Sequence, residues 1–243
     1  MNNAQSRIRK LKLAPAALAL MLALFLCLSG SAVSPSATQQ NSQSTPSTTA
    51  PSTTRKTSTP YTGDLSRFEY EGRDEKLQVQ RVMDLLQIHP GSAVADIGAG
   101  SGWFTVRAAK RVAATGVVYA VDINPESIKY INDRARREKL GNVRTILGKE
   151  DDAPLPTASV DSVLLLKTYH EVAQPVRLLQ NLRRALRPGA LVGVIDRNGR
   201  GDDHGVGRDV VVKEASEAGY EIAGEYDFVK ADKEDYFLIF RAR

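Results

Sequence analysis

The chain has one cysteine in 243 residues, Cys27, and it lies inside an apolar run near the start. Lipid attachment there needs a small residue just before the cysteine, and Leu26 is not small. If the leading segment is removed, no thiol remains. Disulfides, thiolate metal sites and cysteine nucleophiles are then excluded. Acids are also missing from the first 60 residues, which hold six of the 33 Lys and Arg; the remaining 27 face 28 acids. The sequence pI of 9.3 therefore belongs to the leading segment, and a domain near neutrality carries no electrostatic footprint for nucleic acid. Long hydrophobic runs are scarce as well. The one from Leu13 to Leu28 falls short of the roughly 20 residues a spanning helix wants. Internal repeats are absent.

The first 60 residues read as targeting sequence and spacer. Arg7, Arg9, Lys10 and Lys12 precede the apolar run, and Ser29-Gly30-Ser31-Ala32 follows it. This is the order of a secretory signal peptide or, uncleaved, of a signal anchor. Residues 1–32 are assigned to it, and basic residues before the run place the bulk of the chain outside the cytoplasm. Membrane contact is then expected only through this segment. Residues 33–60, rich in Ser, Thr, Gln and Pro, cannot bury a core and are expected to be a disordered linker. Residues 61–243 form the expected folded domain, long enough for one α/β unit.

Val94-Ala95-Asp96-Ile97-Gly98-Ala99-Gly100-Ser101-Gly102 organises that domain. Short apolar residues, an acid and alternating glycines read as a strand, a tight turn and a helix start, whose backbone N–H groups can meet a ligand. A dinucleotide fingerprint wants glycine at position 103, where this chain has Trp103. An NAD-dependent oxidoreductase is disfavoured for that reason.

Periodicity supplies the rest of the layout. Strands are expected at 93–97, 117–121, 143–147, 160–166, 191–195, 221–229 and 236–241, with helices between them. Asn124-Pro125-Glu126 is a helix start with an N-cap, a proline and an acid. The alternation implies an α/β, doubly wound, seven-stranded and mostly parallel sheet with an antiparallel last strand, and ligands at the carboxyl ends of the strands. Asp122 ends strand two about twenty residues past the turn, where a carboxylate can accept from both ribose hydroxyls of an adenosine ligand.

DIGAGSG, YAVDINP, the GKEDD loop and LRPGALVGVID occur in that order. Together they resemble the class I S-adenosylmethionine-dependent methyltransferases, nearest the ubiquinone/menaquinone and small-molecule types. The resemblance implies S-adenosylmethionine as cofactor and a small-molecule acceptor. It implies that Asp96 faces the methionine amino group, that Gly98, Ala99, Gly100, Ser101 and Gly102 form the turn around the donor, and that Ile123 follows Asp122 at the ligand. It brings the loop after strand three to the adenine, leaving Glu150 and Asp151 open as the side chain that meets it. Lys167, where the family often has Asp or Asn, leaves strand four as a further candidate for contact with the cofactor. Tyr169 and His170 follow, near the expected methyl position, as candidate catalytic residues if the acceptor must lose a proton. Arsenic methyltransferases of this domain type use cysteines, which excludes their activity here.

Asp202, Asp203, His204 and Asp209 sit in a glycine-rich segment after strand five. It is expected to be a solvated loop, and no metal site is expected. Trp103 and Phe104 are expected to pack the first helix. A non-catalytic nucleoside-binding module is the alternative function, because the methyl donor is made in the cytoplasm.

Overall fold

The computed structural model describes residues 54–57, 61–200 and 202–243. The expected signal segment and most of the expected linker lie outside the described residues. Among the described residues, no helix is long and apolar enough to cross a membrane.

Seven strands form one sheet in the order β3-β2-β1-β4-β5-β7-β6. They are β1 (Ala93–Ile97), β2 (Val117–Asp122), β3 (Val143–Leu147), β4 (Val160–Leu166), β5 (Leu186–Asp196), β6 (Tyr220–Tyr226) and β7 (Tyr236–Ala242). The first five pair in parallel. β7 runs antiparallel to both β5 and β6, as the sequence predicts. Strand order reverses between β1 and β4, so the crevice at their carboxyl ends is the natural ligand site.

β4 shows why the sheet is covered on both sides. Val163 and Leu165 point into one core with Leu178, Leu179, Val211 and Phe240. Leu164 and Leu166 point the other way, among Leu77, Val82, Phe104 and Phe237. Side chains alternate across a strand, so a continuous apolar run requires helices on both faces. Helices α3 (Trp103–Val112) and α4 (Pro125–Arg137) cover one face, with α1 (Arg73–Leu77) and α2 (Val79–Leu85); α5 (Pro175–Leu182) and α6 (Arg208–Glu217) cover the other. Asn124 caps α4 by accepting from the Glu126 N–H at 2.9 Å, with Pro125 in the first turn.

Several local expectations change. The period over 74–88 predicts one helix, but Gln78 takes a left-handed conformation (φ 53°) and divides it into α1 and α2. Leu77 and Val79 lie on opposite sides of a continuous helix. The break lets both be buried. β5 starts at Leu186, five residues before expectation, with a register shift against β4. β6 ends at Tyr226, and a short 3-10 turn follows at Phe228–Asp232.

The linker boundary also moves. The Arg55 guanidinium pairs with Glu214 on α6 at 3.0 Å and donates to the carbonyls of Tyr169 and Val172. Its own N–H donates to the Ala173 carbonyl. Residues 54–57 thus pack on the domain, where Arg55 offsets the hydration lost by the half-buried Glu214 carboxylate.

Candidate active site

A cavity of about 690 Å³ opens at the carboxyl ends of β1, β2 and β4. Its floor is the glycine turn. Gly98, Gly100 and Gly102 all have positive φ, between 54° and 71°. At Gly98 the requirement is also steric, since a Cβ there would collide with the Thr168 side chain. Thr168 lies just past β4, so the missing side chain lets the two strand ends close together.

Asp122 ties the turn to β2. One carboxylate oxygen accepts from the Gly100 N–H at 2.8 Å, and the other accepts from the Asn124 N–H at 2.8 Å. Burial raises its pKa, against those donated hydrogen bonds. Asp96 lies deeper and accepts from the Thr105 hydroxyl at 2.6 Å. Burial lifts it to about 6, opposed by the Thr105 bonds. Two partly desolvated carboxylates beside a glycine turn suit a ligand rich in hydroxyl and ammonium donors.

Ala99, Ser101 and Ile123 line the same cavity. The Ser101 hydroxyl is buried and has no hydrogen-bond partner among the described residues. Ile123 is 46% exposed, an apolar surface beside a polar turn, as a flat heterocycle would use. The loop after β3 separates the two candidates for the adenine. Asp151 turns its carboxylate to Arg177 at 2.8 Å and is absent from the cavity wall, whereas Glu150 lines it. Asp152 lines it too, with its carboxylate held by Arg184.

Trp103 and Phe104 are buried at the start of α3. The Trp103 ring lies between the guanidinium groups of Arg73 and Arg107, each 4.1 Å from its centroid. They pack the helix, as expected, while also forming part of the wall.

The other end of the cavity is assembled from more distant segments. His170 is buried, and its Nδ1 lies 2.9 Å from Asp196 at the end of β5. The backbone N–H of His170 donates to the same carboxylate at 3.0 Å. Asp196 fixes the ring and leaves Nε2 on the cavity side, with Glu171 Oε1 3.8 Å away. Tyr169, the expected companion of His170, points elsewhere. It is fully buried among Val172, Leu178, Val211 and Tyr236, and it does not line the cavity. Burial pushes its phenol well above the ordinary value, which is unsuited to removing a proton. Consecutive residues in a 3-10 turn project to different sides, so this adjacent pair divides between site and core.

Lys167 lines the cavity, but its amine pairs with Glu234 at 2.8 Å and Asp232 at 3.2 Å. It is engaged by the β6–β7 connection rather than standing open to a cofactor. Glu234 also lines the cavity, and burial raises it to about 7 against the pull of Lys167. Sequence reasoning missed the roles of Asp196, Glu171 and Glu234, and the wall formed by Tyr61, Leu65, Phe68 and Arg73. Only the position of Asp196 at a strand end hinted at its role.

Fold and site together define a Rossmann-like domain with one cavity running from the glycine turn between β1 and α3 to His170 beyond β4. Residues 95–194 match the family described as "Methyltransferase domain". A ubiquinone/menaquinone biosynthesis C-methyltransferase of Hydrogenovibrio crunogenus is 30% identical over 122 residues, covering 50% of this chain and 48% of that protein. An uncharacterized methyltransferase of Mycobacterium tuberculosis is 36% identical over 103 residues, 42% of this chain and 38% of that one. The chain spans less than half the length of these curated relatives. The crystal structure of an S-adenosylmethionine-dependent methyltransferase from Aquifex aeolicus superposes with TM-score 0.66 at 23% identity, covering 74% of this chain and 98% of that one. Residues 95–194 are thus similar to a methyltransferase domain, and the sheet with its helices has the fold of the Aquifex aeolicus structure.

Proposed function

We propose that the whole chain is an S-adenosylmethionine-dependent methyltransferase acting on a small molecule held between the glycine turn and His170. One observation carries this reading: a histidine oriented by a buried carboxylate shares a cavity with the glycine turn and the Asp96 and Asp122 carboxylates.

The residues present fit the donor. The unpartnered Ser101 hydroxyl, the carboxylates of Asp96 and Asp122 and the apolar Ile123 offer the contacts its amino acid, ribose and base require. Asp122 would accept from the ribose hydroxyls, Asp96 would face the methionine ammonium, and Glu150 would accept from the adenine amine. When bound, S-adenosylmethionine supplies a methyl group on a positively charged sulfur. The protein's share is then to hold the acceptor in line and keep water out. Where the acceptor carries a proton, His170 Nε2 is placed to receive it. Asp196 holds the ring in the tautomer that leaves Nε2 as acceptor and stabilises the cation formed.

The basic-then-apolar start of the chain supports export or membrane tethering. Mass spectrometry of the mature N-terminus tests this: a chain retaining residues 1–32 and found in the soluble cytoplasm rejects it.

Calorimetric titration with S-adenosylmethionine and S-adenosylhomocysteine tests the donor site. The expected result is micromolar binding, about 8 kcal/mol, followed by methyl transfer to members of a phenol, quinone and amine panel that is lost in His170→Ala. Binding without transfer to any acceptor would support a non-catalytic nucleoside-binding module, and absence of binding would reject both readings.

A further inference from the structure

The glycine-rich segment after β5 does not behave as one loop. Asp203 is committed to Arg200, accepting from its N–H at 2.8 Å, and Asp209 to Arg208 at 2.6 Å. Its histidine crosses the cavity mouth instead. The His204 ring stands edge-on to that of His170, with centroids 5.9 Å apart. One ligand atom each from His170, Glu171 and His204 can be chosen so that all lie within 4.8 Å of one another. All three residues line the cavity.

We propose that His170, Glu171 and His204 bind a divalent transition cation, with zinc the best match, at the acceptor end of this cavity. This deepens the methyltransferase reading and rests on it for the identity of the acceptor end. The donor set is two imidazoles and one carboxylate, which suits zinc, cobalt or nickel and not calcium or magnesium. Tetrahedral zinc at about 2.0–2.1 Å from each ligand places ligand atoms roughly 3.4 Å apart. The 3.8 Å separation of His170 and Glu171 needs little contraction, and His204 closes on them by side-chain rotation.

Two further features fit a metal centre. Asp196 holds Nδ1 of His170, the carboxylate–histidine arrangement that orients a metal-binding imidazole and strengthens its basicity. The Arg197 guanidinium, one of the positive charges lining this cavity, donates to the carbonyls of Asp203 and His204 at 2.7 and 2.6 Å. It thereby braces the segment that delivers His204. Three protein ligands leave a fourth position open to the cavity, as in catalytic zinc sites. An acceptor with a hydroxyl or thiol donor fits that position and loses its proton to solvent on coordination. His170 Nε2 then holds the cation, and in the metal-free protein it receives the proton.

The test is titration of the full chain, purified without a histidine tag, with Co2+ followed by visible absorption, and with Zn2+ in competition. The expected result is one Co2+ per chain with d–d bands of low coordination number, displaced by Zn2+ and untouched by millimolar Mg2+. His204→Gln and Glu171→Gln should each weaken Co2+ at least 10-fold, and Asp196→Asn about 10–100-fold. His89→Gln, outside the cavity, should leave it unchanged. S-adenosylhomocysteine binding retained in His204→Gln and Glu171→Gln shows that these variants are folded. No bands at stoichiometric Co2+, equal bands in His204→Gln, or displacement by Mg2+ would each overturn the proposal. Loss of S-adenosylhomocysteine binding in the unmodified chain with Co2+ binding intact would instead overturn the methyltransferase reading and leave the metal site standing.

Discussion

The two ends of the cavity are built in different ways. The donor end, from Asp96 to Asp122, is nearly local: a strand, a glycine turn, a helix and the next strand, closed by the Asp122 carboxylate on the Gly100 N–H. The acceptor end joins His170, Asp196, His204 and Glu234, which come from four separate passages of chain. On the proposed reading, a donor shared by many enzymes is held by one contiguous motif, whereas an acceptor peculiar to one enzyme calls for residues drawn from several loops. The two ends should therefore fail independently when perturbed.

The largest effect is expected at the hinge between them. Gly98→Ala forces a Cβ into Thr168 at a left-handed backbone position. A loss of about 2–4 kcal/mol is expected from strain and overpacking, measured by urea unfolding, with partial recovery on adding Thr168→Ala. No change in midpoint would mean that the strand ends are not in contact. Asp122→Ala comes next. It should weaken S-adenosylhomocysteine about 100-fold, the order expected for lost hydrogen bonds to a charged group, while Co2+ binding at the other end stays unchanged. A matching loss at both ends would break the comparison.

The pH dependence separates the ends by window. Burial raises Asp96 to about 6 at the donor end and Glu234 to about 7 at the acceptor end. The folded chain then holds protons that the unfolded chain has already lost. The contribution of these groups to stability is full below about pH 4 and falls as pH rises toward 7, on the order of 3 kcal/mol per group. Asp96→Asn should remove the part of the slope below pH 6, and Glu234→Gln the part extending to pH 7, in ligand-free urea unfolding curves. A stability that rises over this interval in the unmodified chain and stays unaltered in both variants would contradict the assignment.

The smallest effect lies outside both ends. Arg55→Ala removes the partner of Glu214 and two carbonyl contacts, with an expected cost of about 1–2 kcal/mol. Truncating the chain after Arg55 rather than before it should reproduce that loss, and equal stability of the two truncations would return residues 54–57 to the linker.

Much of the donor end was legible in the amino-acid sequence. Alternating glycines, an acid before them and another at the end of β2 follow from spacing alone, because backbone turns and strand ends are local. The apolar run of β4 and the cap at Asn124 likewise carry their own periodicity and chemistry. The choice between Glu150 and Asp151 was not legible, since it depends on Arg177, which comes from α5 and draws Asp151 aside. Tyr169 and His170 are neighbours in sequence, yet one is core and one is site. That division depends on which side of the 3-10 turn faces the sheet.

Sequence by itself determined the alternation of strands and helices, the glycine turn after β1 and the acid at the end of β2, because each rests on residues within about thirty positions of one another. Tertiary structure alone decided that Asp196 grips His170, that His204 meets it across the cavity mouth, and that Lys167 is neutralised by Asp232 and Glu234. These pairings arise because parallel strands place their carboxyl ends side by side whatever their distance along the chain. Side-chain charge and hydrogen bonding are then satisfied among whichever residues the sheet has brought together.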